Sequence, residues 1–389
     1  MKKQLSFLFL FCLLLTGCTP SISLPKSIMF QTQKEQLERE YIKNKKIIYR
    51  FFPKEKNYCL NKTKEYSYET ETNKELFTEQ SEGIYNYCPS VMINNNEIHT
   101  YYCSNINSYE ISDHIFYRKS YKSFDETYLY TEKIPVLTPS ETGWDSVHVC
   151  DPSIISGNFE YQEENYKYLM SYLGCNTLNN QQNQIGIAVS KYPDKNWIKV
   201  QEINPIIKCN YNSNFKHQFQ WGVGQPSIVN LEDNKILFFY TEGTYNKTDT
   251  KVELWDLSNL NNPQQIFKTN LSNNGINDFI SNADFAIKDS TLYMICDTHP
   301  FTGKLLNNIS DVSTIYTTEI SDFTNSNNYS SCIWSKLDKI SSFQKNHNAG
   351  FFRDEFGNLE EQKILYTSAF EQWDFTSSLW TYRLKIHEF

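Results

Sequence analysis

The side chains of this sequence that could do chemistry are a few carboxylates and histidines that stand where predicted strands begin or end. Asp151 opens an Asp-Pro-Ser segment, Asp284 closes an Asn-Ala-Asp segment, and Glu242 ends an apolar run. His148 and His347 lie close to two of the same segments. Carboxylates and imidazoles are the groups that most often move protons in enzymes. Each also has a structural alternative: a capped Asp-Pro turn, a solvent-facing acid or a satisfied loop histidine.

Several other kinds of catalytic site are not expected, because their motifs are missing. The sequence has no HExxH zinc motif and no Ser/His/Asp nucleophile elbow. The stretch Trp221-Gly-Val-Gly-Gln-Pro226 contains two glycines, but it lacks the lysine and the following helix of a phosphate-binding loop. This stretch is therefore not a nucleotide-binding loop.

The cysteines are spread along the chain without a CxxC pair, which argues against a structural zinc site or a thioredoxin-like motif. Cys12 and Cys18 belong to the N-terminal segment, and the other eight are Cys59, Cys88, Cys103, Cys150, Cys175, Cys209, Cys296 and Cys332. An even number permits disulfides in an oxidising compartment, but eight cysteines allow 105 pairings. The alternative for each of them is a small buried apolar side chain.

The N-terminus has the pattern of an export signal. Two lysines precede an apolar run from Leu5 to Leu15, which is too short for a stable membrane-spanning helix. The following Leu15-Thr-Gly-Cys18 resembles the lipobox of bacterial lipoproteins, which implies cleavage after residue 17 and acyl chains on Cys18. We therefore predict a removed signal peptide over residues 1–17 and a lipid anchor to a bacterial membrane.

Composition favours an all-β protein that does not bind nucleic acid. Of the 389 residues, 15% are aromatic, and aromatic side chains favour strands and cover flat ligands well. The formal net charge of −8 is the wrong sign for a partner made of phosphates.

From residue 84 onward the chain repeats itself at intervals of roughly 57–74 residues. Three copies of x-Pro-Ser-apolar-apolar, at Pro89, Pro152 and Pro226, each precede a Tyr- or Phe-rich strand. Weaker copies follow at Ala283 and Ala349. Each unit contains material for four strands, which predicts a five-bladed β-propeller over residues 84–389. The alternative is a β-sandwich whose strands are similar by chance.

The last unit is one strand short of a complete blade. Residues 18–83 read as a polar tether, except for Lys46-Ile-Ile-Tyr-Arg-Phe-Phe52, which has the composition of a strand. An open propeller would expose strand edges. We therefore predict that this N-terminal strand closes the last blade.

The motifs resemble those of the five-bladed propeller glycosidases of glycoside hydrolase family 43 and their relatives. The resemblance rests on Asp151-Pro-Ser, on the Tyr-rich strands, and on Ile185-Gly-Ile-Ala-Val-Ser190 followed by Trp197, and it covers roughly residues 84–389. It implies three acids at the mouth of a central funnel: a base for water, an acid for the leaving oxygen, and a carboxylate that tunes the acid. It implies no organic cofactor, although some relatives hold a cation in the channel beside a histidine.

Carried over residue by residue, the resemblance holds at the base and fails at the other two acids. Asp151 matches the base, whereas the tuning acid falls at Gln225 and the proton donor at Asn282, and neither amide can do that work. Asp284 and Glu242 are then the alternative acids.

Further residues near the unit starts are candidates for substrate binding: Trp144, His148, Trp221, Gln225, Asn282 and His347. Sugars stack on aromatic rings, and so do neighbouring blades. Two functions follow from the sequence. One is a surface glycoside hydrolase with an oligo- or polysaccharide substrate, and the other is an inactive propeller that binds a glycan or a protein.

Overall fold

A computed structural model of the chain describes residues 77, 82–95, 97–122, 128–211, 220–243, 248–276, 280–298, 312–341, 345–369 and 378–389. The chain divides into two units, residues 1–62 and 63–389, and all of the described residues belong to the second. The predicted signal peptide, Cys18 and the closing strand at residues 46–52 lie outside the described residues, and of the predicted tether only residues 77, 82 and 83 are described. Phe77 is buried in an apolar cluster and is not part of a polar tether. No helix in the described part is long and apolar enough to cross a membrane.

The described strands fall into five successive groups. The first comprises β1 (Asn86–Asn94), β2 (Glu97–Ser104), β3 (His114–Lys122), β4 (Tyr128–Tyr130) and β5 (Ile134–Leu137). The second comprises β6 (His148–Tyr161), β7 (Glu164–Cys175), β8 (Gln184–Ser190) and β9 (Ile198–Lys199). The third comprises β10 (Gly222–Asn230), β11 (Lys235–Gly243), β12 (Thr248–Asp256) and β13 (Gln264–Asn270). The fourth comprises β14 (Ser281–Lys288), β15 (Thr291–Thr298), β16 (Val312–Glu319), α1 (Ser326–Ser331) and β17 (Ser335–Ser341). The last comprises β18 (Lys345–Asp354), β19 (Leu359–Ala369) and β20 (Arg383–Glu388).

Within each group, consecutive strands pair antiparallel, except that β5 of the first group pairs with β3 and not with β4. The first and last groups join into one sheet, because β1 and β18 pair in parallel at Val91 and Phe352. The first strands of the five groups contact one another in the order β1, β6, β10, β14, β18 and back to β1. The groups are therefore arranged in a ring.

The core lies between the groups and not at one centre. Five apolar clusters each combine residues of two neighbouring groups, and the stacked rings of Phe239 and Phe285, 4.1 Å apart, join the third and fourth. Strands buried on both faces need apolar side chains on both. This accounts for runs such as Leu237-Phe-Phe-Tyr240, all of which are buried.

The serines of the Pro-Ser repeat recur because they contact one buried arginine at the centre of the ring. Arg353 of β18 is buried, and its guanidinium donates to the hydroxyl oxygens of Ser153 at 3.0 Å, Ser227 at 3.3 Å and Ser90 at 3.4 Å. It also lies 3.4 Å from Asp284 Oδ1. The serines of the three repeats thus converge on one buried cation, and Asp284 occupies the equivalent position in the fourth group.

The second and third groups each contain the four strands that the repeat predicts. In the last unit the sequence predicts the third strand over residues 378–386, but residues 378–382 form a helical turn, and β20 begins at Arg383. Only three strands of the last group are among the described residues, so four-stranded completion by an N-terminal strand stays a prediction.

Candidate functional site

Five residues at equivalent positions line the mouth of the ring, and we call them the mouth residues. Each directly precedes the repeated Pro or Ala, has a positive φ of 42–54° and lies at a β-bulge. They are Cys88, Asp151, Gln225, Asn282 and Asn348. A β-bulge with left-handed backbone changes the direction of a side chain from the one it would have in a regular strand. All five border one cavity that is open to solvent.

The bulges are capped from one group to the next. The backbone N–H of Gln225 donates to the Asp151 carboxylate, and that of Asn282 donates to Gln225 Oε1 at 2.9 Å. The N–H of Asn348 reaches Asp297 Oδ2 at 3.4 Å, and the N–H of Asp151 reaches Cys103 Sγ at 3.0 Å. Because neutral Gln225 caps its neighbour in the same way as Asp151, this structural role does not need a negative charge.

Asp151 is half-buried and titrates unusually high for a carboxylate. Burial and the nearby Asp113 carboxylate raise its pKa to about 6, against hydrogen bonds from the Cys88 thiol and the Gln225 backbone, which lower it. His347 also lowers this pKa, which places the imidazole within electrostatic reach. A carboxyl group with this pKa can exchange a proton near neutral pH.

Beside Asp151 lies a cluster of three sulfur atoms. Cys103 of β2 and Cys150 of β6 form a disulfide that joins the first two groups, while Cys88 keeps a thiol. Asn348 Nδ2 donates to Cys88 Sγ. Burial and the Asp151 carboxylate raise the pKa of the Cys88 thiol well above its usual value. The pairing that the sequence left open is therefore decided for Cys103 and Cys150.

Two buried Asp–His pairs flank the mouth. Asp297 Oδ2 lies 2.7 Å from His347 Nδ1 and accepts from Asn282 Nδ2 at 2.6 Å. Asp113 Oδ2 lies 2.9 Å from His148 Nδ1, and its Oδ1 accepts from the Tyr85 hydroxyl at 2.6 Å. Hydrogen bonding to Asp113 raises the pKa of His148, although burial lowers it.

Of the two Asp–His pairs, the one with His347 reaches the mouth residues directly. Asn282 Nδ2 lies 3.2 Å from His347 Nδ1. His148 bonds instead to the backbone N–H of Asp113. Neither histidine belongs to a group of side chains with metal-ligand spacing within the described ranges.

The structure gives Asp284 a structural role in place of the predicted catalytic one. Although it borders the cavity, Asp284 Oδ1 accepts from the Ser227 hydroxyl at 2.7 Å and Oδ2 from the Phe351 backbone N–H at 2.8 Å. Its remaining contact is with the Arg353 guanidinium. A carboxylate held this way joins the third, fourth and last groups, which is a structural role.

Glu242 is not brought to the mouth. Its carboxylate pairs with Lys251 at 3.2 Å and accepts from Asn210 at 3.4 Å, and it is not among the residues that border the cavity. The strand end on which it lies pairs with Val223, one position outside Gly224. Glu242 lies on β11, which pairs with the strand of Gln225, but at the end of that strand and away from the mouth.

The two predicted aromatic platforms are packing residues. Trp144 stacks on Tyr172 with ring centroids 5.7 Å apart, and Trp221 packs against the sulfur cluster and Gly224. Both rings fill space that small residues leave open. Gln225 and Asn282, by contrast, lie at the mouth as predicted, where their side-chain amides hydrogen-bond to each other.

Sequence reasoning missed Asp113, Asp297, Asn348 and Arg353. Of the predicted acids, Asp151 and Asp284 lie on first strands and Glu242 on a second strand; Asp297 lies on the second strand of the fourth group, opposite Ser281. A lone acid at the end of the apolar run Thr291-Leu-Tyr-Met-Ile-Cys-Asp297 was the available signal. Arg353 was visible as the only charged residue in the apolar stretch Ala349–Arg353.

No protein-family model and no curated protein matches the sequence. Solved structures do match. Zg3597, a family 117 glycoside hydrolase of the marine bacterium Zobellia galactanivorans, superposes with a TM-score of 0.51 and 13% identity over 81% of this chain and 89% of that one. A thermostable family-43 glycoside hydrolase gives a TM-score of 0.50 and 14% identity over 78% and 89%. The fold is a β-propeller. A further glycoside hydrolase matches this propeller with a TM-score of 0.50 at 10% identity over 85% and 94% of the two chains.

Proposed function

We propose that this protein is a glycoside hydrolase that binds an oligo- or polysaccharide over the mouth of its propeller. The observation that carries the proposal is Asp151. The fold requires only a hydrogen-bond acceptor at this position, as Gln225 demonstrates, yet the chain places there an ionisable carboxyl group with a pKa of about 6. The fold does not need this charge, and it lies at an open cavity lined by amides. Such a group indicates a role in binding a ligand or in its chemistry.

In the proposed reaction, the Asp151 carboxylate removes a proton from water as the water oxygen bonds to the sugar carbon. The bond from that carbon to the leaving oxygen breaks, and the leaving oxygen receives a proton from water at the open mouth. Asp297 lies 2.7 Å from His347 Nδ1 and accepts from Asn282 Nδ2, and these contacts fix the Asn282 amide at the mouth. Gln225, Asn282 and Asn348 supply amides that suit sugar hydroxyl groups.

The test is a hydrolysis screen of the chain without residues 1–17 against arabino-, xylo-, fructo- and galacto-configured glycosides. Asp151→Asn keeps the cap and should lower kcat by at least about 10²-fold with little change in melting temperature. Asp233→Asn is the matched control, because Asp233 has a φ of 50° on a turn outside the mouth. If Asp151→Asn matches the wild-type rate on an accepted substrate, Asp151 is not the base.

A second candidate function is glycan binding without hydrolysis. It is favoured by the amides of Gln225 and Asn282, which stand where the resemblance places two acids. A glycan that binds the wild type and is recovered uncleaved after long incubation would establish this function in place of the first.

We also propose that the protein is exported and anchored by lipid at Cys18. The Cys103–Cys150 disulfide supports an oxidising compartment. Expressed in a bacterial host, the chain should partition with membranes and take up labelled fatty acid, and Cys18→Ala should do neither. Unlabelled wild-type protein in the soluble fraction would refute the anchor.

A further inference from the structure

The sulfur cluster beside Asp151 has more ligand atoms than a disulfide needs. The sulfurs of Cys88, Cys103 and Cys150 and a carboxylate oxygen of Asp151 all lie within 4.8 Å of one another. They come from three strands, β1, β2 and β6, and the three cysteines are buried. Because the cysteines are far apart in sequence, no CxxC motif marks this cluster.

The spacing suits one tetrahedral ion. Zinc lies about 2.3 Å from thiolate sulfur and about 2.0–2.2 Å from carboxylate oxygen, so its sulfur ligands are about 3.8 Å apart. Four ligand atoms within 4.8 Å of one another can surround such an ion after small side-chain rotations. Three sulfurs and one oxygen are a donor set for a thiophilic divalent cation and not for calcium or magnesium.

Hydrogen-bond donors lie beside two of the three sulfurs. The Asp151 backbone N–H donates to Cys103 Sγ, and Asn348 Nδ2 donates to Cys88 Sγ. Hydrogen bonds of this kind orient the ligands of a metal site and stabilise their charge. In addition, Asn348 is buried and borders the cavity, and its Oδ1 has no hydrogen-bond partner within the described part of the chain. An unpaired buried oxygen at this point indicates that the cavity receives a ligand.

We propose that, when the Cys103–Cys150 disulfide is reduced, Cys88, Cys103, Cys150 and Asp151 bind one thiophilic divalent cation of the zinc class. A phosphine reductant supplies the two electrons: the disulfide, the phosphine and one water give two thiols and the phosphine oxide. The ion then displaces the thiol protons. The disulfide and the ion exclude each other, because both use the sulfurs of Cys103 and Cys150. Bound metal also occupies Asp151, and this consequence alone rests on the proposed function.

The experiment is a titration of the phosphine-reduced chain with Co²⁺ under argon, followed by displacement with Zn²⁺. We expect one equivalent of Co²⁺, a thiolate-to-cobalt charge-transfer band in the near ultraviolet and the intense visible bands of four-coordinate cobalt. The oxidised protein should show none of these. Substrate is absent throughout, so the result does not depend on hydrolysis.

Variants identify the ligands. Cys88→Ala should weaken Zn²⁺ binding by more than about 100-fold, measured by competition with a chromophoric chelator. Asp151→Asn should leave the charge-transfer band and shift the visible bands. Cys332→Ala is the matched control, since Cys332 is a buried thiol of the fourth group. The proposal is overturned if reduced wild type binds no stoichiometric metal, or if folded Cys88→Ala binds as tightly as Cys332→Ala.

Discussion

At the scale of single residues, the same backbone position carries different chemistry in each group. All five mouth residues have left-handed backbone, which Asn and Asp adopt more readily than Cys or Gln. Cys88 and Gln225 are therefore held there by their neighbours and not by local preference. What each position does depends on its side chain: Gln225 and Asn282 bond to each other, whereas Asp151 and Cys88 are ionisable.

The buried residue His99 of β2 makes the free energy of unfolding depend on pH in acid. Burial lowers the pKa of His99 to about 4, and the charged groups around it are Glu97, Lys119, Lys167 and Asp194. In the unfolded chain its pKa is about 6.5. Below pH 6.5 the unfolded state therefore takes up a proton that the folded state does not, and stability falls until about pH 4.

His99→Asn removes this titration and retains a partner for the Tyr117 hydroxyl, which lies 2.8 Å from His99 Nδ1. Between pH 7 and pH 4, the free energy of unfolding should fall by about 3 kcal/mol more in the wild type than in the variant. Urea denaturation at the two pH values measures the difference. Equal losses would show that His99 titrates normally in the folded protein.

At the scale of elements, the position after each repeated Pro or Ala explains how five strands meet at one centre. It holds Ser90, Ser153, Ser227 and Asp284 in the first four groups and Gly350 in the last. The first four contact Arg353. Gly350 has no room for a side chain, because a Cβ there would lie 2.4 Å from the Pro89 carbonyl oxygen.

Gly350→Ala should therefore separate β18 from β1 and lower the free energy of unfolding by about 1–3 kcal/mol. Gly243→Ala is the comparison, since its Cβ would meet only the Trp221 side chain, at 3.2 Å, which can shift. Urea denaturation of both variants provides the test. A loss at Gly350 no larger than that at Gly243 would mean that the parallel pairing of β1 and β18 is not tightly constrained.

At the scale of the whole molecule, Arg353 links the groups through side chains, as the apolar clusters link them through packing. Its guanidinium also donates to the backbone carbonyls of Ile228 at 3.2 Å and Phe285 at 3.0 Å. Asp284 is the carboxylate partner of Arg353 within the described ranges. A buried cation is costly to leave unpaired, so each half of the pair depends on the other.

Arg353→Met and Asp284→Asn should each destabilise the propeller, the first by about 3–5 kcal/mol. The double variant should lose less than the sum of the two by about 1–3 kcal/mol, because neither charge is then left alone. A double-mutant cycle from urea denaturation measures this coupling. Additive losses would show that Asp284 is not the counter-ion of Arg353, and would reopen its assignment as an acid.

Much of the fold could be predicted because its signals are local. Tyr- and Phe-rich runs separated by turns identify strands, and the recurring Pro-Ser segment identifies repeating units that need neighbours to bury their faces. The site was predicted less well. Asp151, Gln225 and Asn282 were found because they stand next to the repeat, whereas Asp297 lies on β15 and Asp113 directly precedes β3.

By itself, the sequence determined the all-β class, the repeating units and the positions that would face the centre, since these depend on composition and on spacing along the chain. Tertiary structure alone decided which of the acids is held by Arg353, which is paired with a histidine and which is left at the open cavity. It also brought Cys88, Cys103 and Cys150 together. The physical reason is that a carboxylate's charge state and a cysteine's partner depend on groups within a few ångströms, and ring closure makes neighbours of residues far apart in sequence.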